Sequence, residues 1–204
     1  MKKKTILAIV LGAVTVFLLA LLTVSLVAKH PQQKKATMES HPSDMTVKQF
    51  IKQIAPAAKA EQKKYHIPAS IIIAQAGIES DWGRAKLAYK YNNLFGMKAT
   101  SKKQKKVRLY TKETINGKTK TVKQYFAVYN SWSASIKAHA KFILNAKSSS
   151  GEHLFKGVYT AKSYQAAAQA LQTGGYATDE NYASKLIYAI KEFKLYKYDN
   201  FNYK

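Results

Sequence analysis

The spacing of apolar and polar residues changes several times along this chain, and each spacing predicts a different element. Thr5 to Ala28 contains 24 consecutive residues without a charge. As a helix this run would be roughly 36 Å long, which is enough to cross a hydrocarbon core of about 30 Å. Because the apolar part of a cleavable signal usually has only about 7–15 residues, we predict an uncleaved membrane anchor over residues 1–28. Cleavage after Ala28 is the alternative.

The segment after this run is polar and contains two prolines over residues 29–44, which is typical of a linker. Residues 45–204 are enough for one domain with its own core. Because Lys2, Lys3 and Lys4 precede the apolar run, the positive-inside rule places the N-terminus inside and this domain outside the membrane.

Most of the domain has either the apolar periodicity of helices or the residues that typically begin and end them. Helices are predicted at about 47–58, 68–80, 84–90, 132–146, 161–173 and 179–194. Pro56 is expected to kink or split the first of them, and Gly174-Gly175 is expected to end the fifth. Thr178 or Asp179 is expected to cap the last. The helix at 68–80 is apolar on nearly all sides, so we expect it to be buried.

One segment has the composition of strands instead of helices. Residues 106–129 are rich in β-branched and aromatic side chains on both sides of Asn116-Gly117, which is a strong hairpin signal. A two-residue turn at this dipeptide would place Glu113 opposite Lys120. The pattern as a whole predicts a mainly α domain with one long β-hairpin.

The charge of the chain narrows the choice of partners. There are 34 Lys and Arg residues against 11 Asp and Glu, a net charge of +23, and the exported part retains about +20 of it. Such a field attracts polyanions. Export argues against nucleic acid and favours anionic lipid or anionic cell-wall polymers. The chain has no cysteine, its five histidines lack metal-ligand spacing, and no nucleotide-binding glycine loop is present, so no metal or cofactor is predicted.

One carboxylate stands out in the stretch "AQAGIESDWG", which ends the predicted buried helix. Glu79 lies beside Trp82, and apolar surroundings would raise the pKa of its carboxyl. A raised pKa suits a general acid, which must hold its proton near neutral pH. Asp81 would act in the same direction if it lay close. The alternative is a helix-end glutamate that points into solvent.

Glu113 is the second unusual acid, because it lies near a hairpin tip among cations. A neighbouring cation such as Lys120 would keep its carboxyl ionised. One neutral and one charged carboxyl is the division of labour used in glycoside hydrolysis. The alternative for Glu113 is a cross-strand ion pair without a catalytic role.

Several separated motifs resemble those of the N-acetylglucosaminidases of glycoside hydrolase family 73. The stretch "IPASIIIAQAGIESDWGRAKLAYKYNNLFGMK" over residues 67–98 contains the AQA, ES-x-WG and NNLFG-x-K motifs of that family. The similarity continues through the hairpin and through "GGYATDENYASKLI" at 174–187. It covers roughly residues 46–195, with the motifs in the same order as in the family.

The resemblance implies a lysozyme-like α-helical fold and cleavage of the β-1,4 bond after N-acetylglucosamine in peptidoglycan. Glu79 matches the general acid and Glu113 the second carboxylate, which either activates water or assists attack by the 2-acetamido group of the substrate. Tyr176 matches the active-site tyrosine of the YATD motif. The substrate-binding positions are predicted at Trp82, Asn92 and Phe95.

These expectations define a monomeric hydrolase on the outer face of the bacterial plasma membrane, held there by residues 5–28, or secreted to the wall if cleaved near Ala28. Peptidoglycan strands are its expected substrate and anionic wall polymers its expected charged partners. The alternatives are a muramidase or lytic transglycosylase that acts on the same polymer, a phage lysin, and a catalytically inactive wall-binding protein.

Overall fold

The computed structural model describes residues 44–115 and 118–201. The predicted membrane anchor and nearly all of the predicted linker lie outside these residues. Among the helices that the structure describes, none has the length and apolar character needed to cross a membrane.

The described residues form a mainly helical domain with one two-stranded antiparallel sheet, as the sequence pattern predicted. In chain order the elements are α1 (Val47–Tyr65), α2 (Ala69–Ser80), α3 (Lys86–Tyr91), β1 (Lys106–Ile115), β2 (Lys118–Ala127), α4 (Trp132–Asn145), α5 (Lys156–Tyr159), α6 (Tyr164–Thr173), α7 (Tyr182–Glu192) and a final 3-10 helix (Leu195–Tyr198).

Helix α2 forms the centre of the domain. It contacts α1, α4, α6, α7 and the 3-10 helix. Its residues 69–77 are all buried, as expected for a helix that is apolar on every side. The prediction of a buried helix at this position is therefore confirmed. The helix carries Glu79 in its last turn, so the buried central helix of the domain positions that carboxyl.

The amino end of α2 is capped by distant side chains. Gln62 accepts a hydrogen bond from the Ala69 amide at 3.3 Å through Oε1. Asp199 accepts one from the Ser70 amide at 2.8 Å through Oδ1. Because Pro68 at the N-cap makes no capping bond of its own, these side chains satisfy amides that would otherwise be buried without partners. The C-terminal segment therefore holds the first turn of α2 in place.

At the carboxyl end of α2 the chain turns back towards the helix. Asp81 and Trp82 have positive φ angles of 50° and 53°, and the Trp82 amide donates to the Gly77 carbonyl at 2.7 Å. This turn directs the Trp82 ring back over Gly77, where it also packs edge-on against Phe50 and Phe193, with ring centroids 5.9 Å and 4.7 Å away.

Gly77→Ala is expected to destabilise the fold by about 2–3 kcal/mol. A Cβ at this position would lie 2.5 Å from the Trp82 ring. With the ring removed, in a Trp82→Leu background, the same change should be neutral or stabilising, because Ala is a better helix former than Gly by about 1 kcal/mol. Urea unfolding of the four proteins measures both values. Equal destabilisation in the two backgrounds would contradict the proposed role of the contact.

Three helix boundaries differ from the sequence prediction. Helix α1 is not split at Pro56 and continues to Tyr65, because buried residues on both sides of the proline, including Ile54 and Ala58, pack into the core. Helix α6 begins after Ser163, which caps it, three residues later than predicted. Helix α7 also begins later than predicted, because Asp179 bonds the Asn181 amide in a local turn and so does not cap the helix.

The register of the β-hairpin is the predicted one, with Glu113 opposite Lys120 and Val107 opposite Phe126. The hairpin is joined to the helices at its base. The Asn93 side chain donates to the carbonyl oxygens of Met97 and Ala127, both at 2.9 Å. These bonds fix the open end of the hairpin beside the loop that follows α3.

Candidate functional site

The Glu79 carboxyl lies at the centre of a small hydrogen-bonded group. The Tyr182 hydroxyl donates to Glu79 Oε1 at 3.0 Å, and Gln75 Nε2 donates to the same hydroxyl at 3.1 Å. Gln75 and Glu79 are four residues apart and so share one face of α2. Gln75 is fully buried, so this chain of bonds holds the Tyr182 hydroxyl in place against the carboxyl.

Burial raises the pKa of Glu79 to about 8, and the hydrogen bond from Tyr182 offsets only part of this effect. Part of the Glu79 residue is accessible to solvent. A carboxyl that keeps its proton at neutral pH can act as a general acid towards a reactant that comes within hydrogen-bond distance. Glu79 therefore does not point freely into solvent, and its role as general acid stays a prediction.

Tyr176 lies next to this group. Its ring stacks on that of Tyr182, with centroids 5.4 Å apart. Burial and the nearby Glu79 carboxyl raise the pKa of Tyr176 well above its usual value, and the same two causes act on the pKa of Tyr182. Both phenols therefore keep their protons at neutral pH, and both can donate hydrogen bonds.

A buried histidine supports Tyr176 from behind. His139 Nε2 lies 3.0 Å from the Tyr176 hydroxyl, and the His139 ring stacks on Phe95 at a centroid distance of 3.8 Å. Burial lowers the pKa of His139 to about 3, so the imidazole is neutral. His139 is completely buried, which is consistent with a packed rather than a catalytic role.

The tautomer of His139 decides which way the Tyr176 hydroxyl points. Among the described residues, His139 Nδ1 is buried without a hydrogen-bond partner. A proton on Nδ1 would be a buried donor with no acceptor, so the tautomer with the proton on Nε2 is favoured. In that tautomer Nε2 donates to the oxygen of Tyr176, and the hydroxyl hydrogen of Tyr176 is left to another acceptor.

Asp81 does not belong to this group. Its carboxylate binds the Arg84 guanidinium at 2.6 Å, and its side chain is 60% exposed. The raised pKa of Glu79 arises from burial and not from the charge of Asp81. The idea that Asp81 helps Glu79 to hold its proton is therefore not needed.

Asp81→Asn is expected to leave the pH dependence of activity unchanged and to alter stability by less than about 1 kcal/mol, as for an exposed ion pair. Asn also tolerates the left-handed backbone at this position. The measurement is activity against pH together with thermal unfolding. A basic limb moved to lower pH would show that the Asp81 charge does act on Glu79.

The other predicted substrate-binding residues lie in different surroundings. Phe95 joins the site through His139. Asn92 ends α3 and donates to the Tyr129 carbonyl at 3.0 Å. It also lines a cavity with Trp132 that Glu79 does not line. The Trp82 ring packs on the protein's own core, and its contact with substrate stays a prediction.

The backbone of Glu113 lies in β1 opposite Lys120. The structure therefore links Glu79 to Tyr176 through Tyr182, and Tyr176 to Phe95 through His139. Glu113, the predicted second carboxylate, lies on the hairpin. Within the described residues, no three His, Asp or Glu side chains come close enough to hold a metal ion.

Tyr182 and Gln75 belong to the site but were not predicted from the sequence. Gln75 could have been found, because it lies one helical turn before Glu79 and shares its face of α2. Tyr182 could not, because it is 103 residues away from Glu79 along the chain and only the packing of α7 on α2 brings them together.

The described domain matches a known protein family. The family model for glucosaminidases, described as mannosyl-glycoprotein endo-beta-N-acetylglucosaminidase, matches residues 55–195. This range contains all the predicted site residues. It begins within α1 and ends at the 3-10 helix, so it covers nearly all of the described domain.

Solved structures and curated proteins are also similar to most of this chain. The catalytic domain of the autolysin Auto from Listeria monocytogenes is 36% identical, with a TM-score of 0.69 over 81% of this chain and 91% of that one. This likeness confirms the lysozyme-like fold expected from the sequence. The exo-glucosaminidase LytG of Bacillus subtilis is 40% identical over 75% of this chain and 54% of its own length. The peptidoglycan hydrolase FlgJ of Escherichia coli K12 is 34% identical over 76% and 49%. The chain thus spans about half the length of these two curated relatives.

Proposed function

The chain belongs to the glucosaminidase family of glycoside hydrolases, and we propose from this membership that it hydrolyses the β-1,4 bond after N-acetylglucosamine in peptidoglycan. The observation that carries the proposal is the state of Glu79. Its carboxyl is held by the Tyr182 hydroxyl at 3.0 Å, and burial raises its pKa to about 8. A carboxyl with this pKa is protonated at neutral pH and can give its proton to the oxygen of the leaving group.

In the proposed reaction, Glu79 donates its proton to the glycosidic oxygen as the bond to the sugar breaks. Tyr182 supports this step, because its hydrogen bond favours the carboxylate that forms. The Tyr176 hydroxyl, fixed from behind by His139, is available to bind a polar group of the substrate. Phe95 keeps the His139 ring in its plane by stacking on it.

Glu113 is proposed to complete the reaction from the hairpin. It either activates the water that attacks the sugar, or it assists attack by the 2-acetamido group of the substrate. In both cases a carboxylate and not a carboxylic acid is required. The backbone position opposite Lys120 supports this proposal, because a nearby cation favours the ionised form.

Digestion of purified peptidoglycan tests the proposed bond. The new reducing-end sugar is identified by mass spectrometry after reduction with borohydride. N-acetylglucosamine ends support the proposal. N-acetylmuramic acid ends would contradict it in favour of a muramidase, the activity in the printed name of a Lactococcus lactis relative that is 38% identical over 74% of this chain.

The pH profile of kcat/KM is expected to have a basic limb near pH 8. Glu79 with a pKa of about 8 is protonated and active below this pH, and it loses its proton above it. Activity should therefore fall about tenfold for each pH unit above the limb. The measurement uses soluble glycan fragments at constant ionic strength. A profile that stays level to pH 10 would show that Glu79 does not supply the proton.

The setting of the enzyme is proposed from its sequence. Residues 5–28 would hold it at the outer face of the membrane, and the net charge of about +20 on its exported part would hold it near anionic wall polymers. Since screening weakens attraction between exposed charges, high salt should release the protein from isolated walls.

A further inference from the structure

The hairpin has an exposed face on which cations and tyrosines alternate. Residues two apart on a strand share a face, and so do cross-strand partners. Arg108 pairs with Tyr125, and Tyr110 pairs with Lys123. With Lys106, these residues form what we call the cation–tyrosine face. It runs roughly 14 Å along β1 from Lys106 to Tyr110.

The two tyrosines of this face are unusually open to solvent for aromatic side chains. Tyr110 is 69% exposed and Tyr125 is 45% exposed. Neither ring belongs to the hydrophobic core, which is built by the helices. Their place on an exposed sheet face therefore has no explanation in packing, whereas exposed aromatic rings are a usual feature of binding surfaces.

The cations of the face are ordered by the rings. Lys123 Nζ lies 4.9 Å from the centre of the Tyr110 ring. Lys106 Nζ and the Arg108 guanidinium lie 5.3 Å and 5.5 Å from the centre of the Tyr125 ring. Such contacts hold the long side chains close to the sheet, so less side-chain entropy is lost when a ligand binds.

The charge of the surrounding segment is also concentrated. Residues 98–123 contain ten Lys or Arg and a single acid, Glu113. A net charge of +9 over 26 residues far exceeds the average of the chain, which has +23 over 204. The hairpin is therefore where a polyanion would be attracted most strongly.

We propose that the cation–tyrosine face docks an anionic wall polymer in which polyol or sugar units are joined by phosphodiesters. Arg108, Lys106 and Lys123 would contact the phosphates, and the tyrosine rings would pack against the C–H groups between them. A neutral glycan would need the rings but not the cations. The choice of a wall polymer over a nucleic acid rests on the proposed function, which places the protein at the wall.

The hairpin also carries Glu113 in the same strand. A polymer docked on the cation–tyrosine face would therefore hold the catalytic domain against the wall through the element that brings the second carboxylate. Docking at this face would raise the local concentration of glycan strands at the site without any further contact.

The test compares the wild-type full chain with two variants of it. In the hairpin variant, Lys106, Arg108 and Lys123 are changed to Gln. The matched control has Lys52, Lys141 and Lys191 changed to Gln, which removes the same charge from exposed helix positions. Binding is measured on intact walls, on walls stripped of phosphodiester polymers by hydrofluoric acid, and on soluble poly(glycerol phosphate). The hairpin variant should bind intact walls and the soluble polymer roughly tenfold more weakly than wild type, and the control less than threefold.

Two results would overturn the proposal. An equal loss in the control variant would mean that net charge alone draws the protein to the polymer. A loss that persists on stripped walls would mean that the face binds the glycan itself. Wild-type release of reducing ends from stripped peptidoglycan is measured separately, so that a failure of the proposed hydrolysis is distinguishable from a failure of docking.

The tyrosines give a second, independent measurement. Changing Tyr110 and Tyr125 to Ser leaves the charge unaltered, so the salt dependence of binding should keep its slope while affinity falls several-fold. Unchanged affinity would contradict a role for the rings. Binding of single-stranded DNA as tight as that of poly(glycerol phosphate) would show that the face does not select a wall polymer.

Discussion

Glu79→Gln is expected to lower kcat about 10³-fold and to make the folded protein more stable at pH 7.5. The loss follows because Gln cannot give a proton to the leaving oxygen. The gain follows because Gln takes the place of a carboxyl that is held in apolar surroundings against its tendency to ionise. Opposite effects on activity and stability from one substitution separate a catalytic role from a structural one.

The gain in stability has a defined pH range. The pKa of Glu79 is about 8 in the folded protein and 4.5 in an unperturbed glutamate. Between these values the folded state holds a proton that the unfolded state has released, so wild-type stability falls as pH rises through this range. The stability of the Glu79→Gln variant does not fall in this way, because the Gln side chain does not ionise. Its melting temperature should match that of wild type near pH 4 and exceed it by about 10 °C near pH 8.

A matched control is Glu192→Gln, since Glu192 is an exposed acid at the end of α7. It should leave kcat and the pH dependence of stability unchanged. Melting curves by circular dichroism and initial rates on peptidoglycan measure both quantities. If Glu79→Gln keeps more than a tenth of wild-type activity, Glu79 is not the general acid. If the variant loses stability at pH 7.5, its carboxylate has a structural role instead.

Local signals in the sequence predicted the elements well. Asn116-Gly117 and the alternation on either side of it predicted the register that pairs Glu113 with Lys120. The uniform apolar character of "ASIIIAQAGI" predicted the buried helix. Both depend on residues close together in the chain, where the period of side chains and the conformation of the turn decide the result.

The support of the site could not be predicted in this way. Tyr182 reaches Glu79 only because α7 packs on α2, and His139 reaches Tyr176 across 37 residues of chain. No local pattern contains such contacts. The capping of α2 by Asp199, 129 residues from Ser70, is of the same kind. Tertiary packing selected these partners, whereas the place of Glu79 at the end of an apolar helix is visible in the sequence, and the family resemblance predicted its role as the acid.

Trp82 has a structural role that the sequence did not indicate. A contact of Trp82 with substrate was predicted from the sequence and stays a prediction. The left-handed conformations of Asp81 and Trp82 direct the ring to Gly77 and Phe50. The tryptophan thereby secures the turn that ends α2, and it contributes to the site by fixing the helix end that carries Glu79.

Glu113→Gln is expected to lower kcat about 10²-fold with little effect on the basic limb near pH 8, since that limb belongs to Glu79. Gln can neither activate water nor support attack by the acetamido group of the substrate. Rates on peptidoglycan and the pH profile of the residual activity are the measurements. The backbone of Glu113 lies in the hairpin and outside the helical core, so the melting temperature should change little.

Lys120→Gln is the control, because Lys120 is the cross-strand partner of Glu113. If Glu113 serves only in an ion pair, the two variants should lower stability alike and both should keep their activity. If Glu113 is the second carboxylate, only its own substitution should remove activity. A fully active Glu113→Gln that yields anhydro ends would identify a lytic transglycosylase, because that reaction closes the sugar on its own hydroxyl and needs no second carboxylate. The same variant thus separates hydrolysis from ring closure at a site where Glu79 alone would fit both.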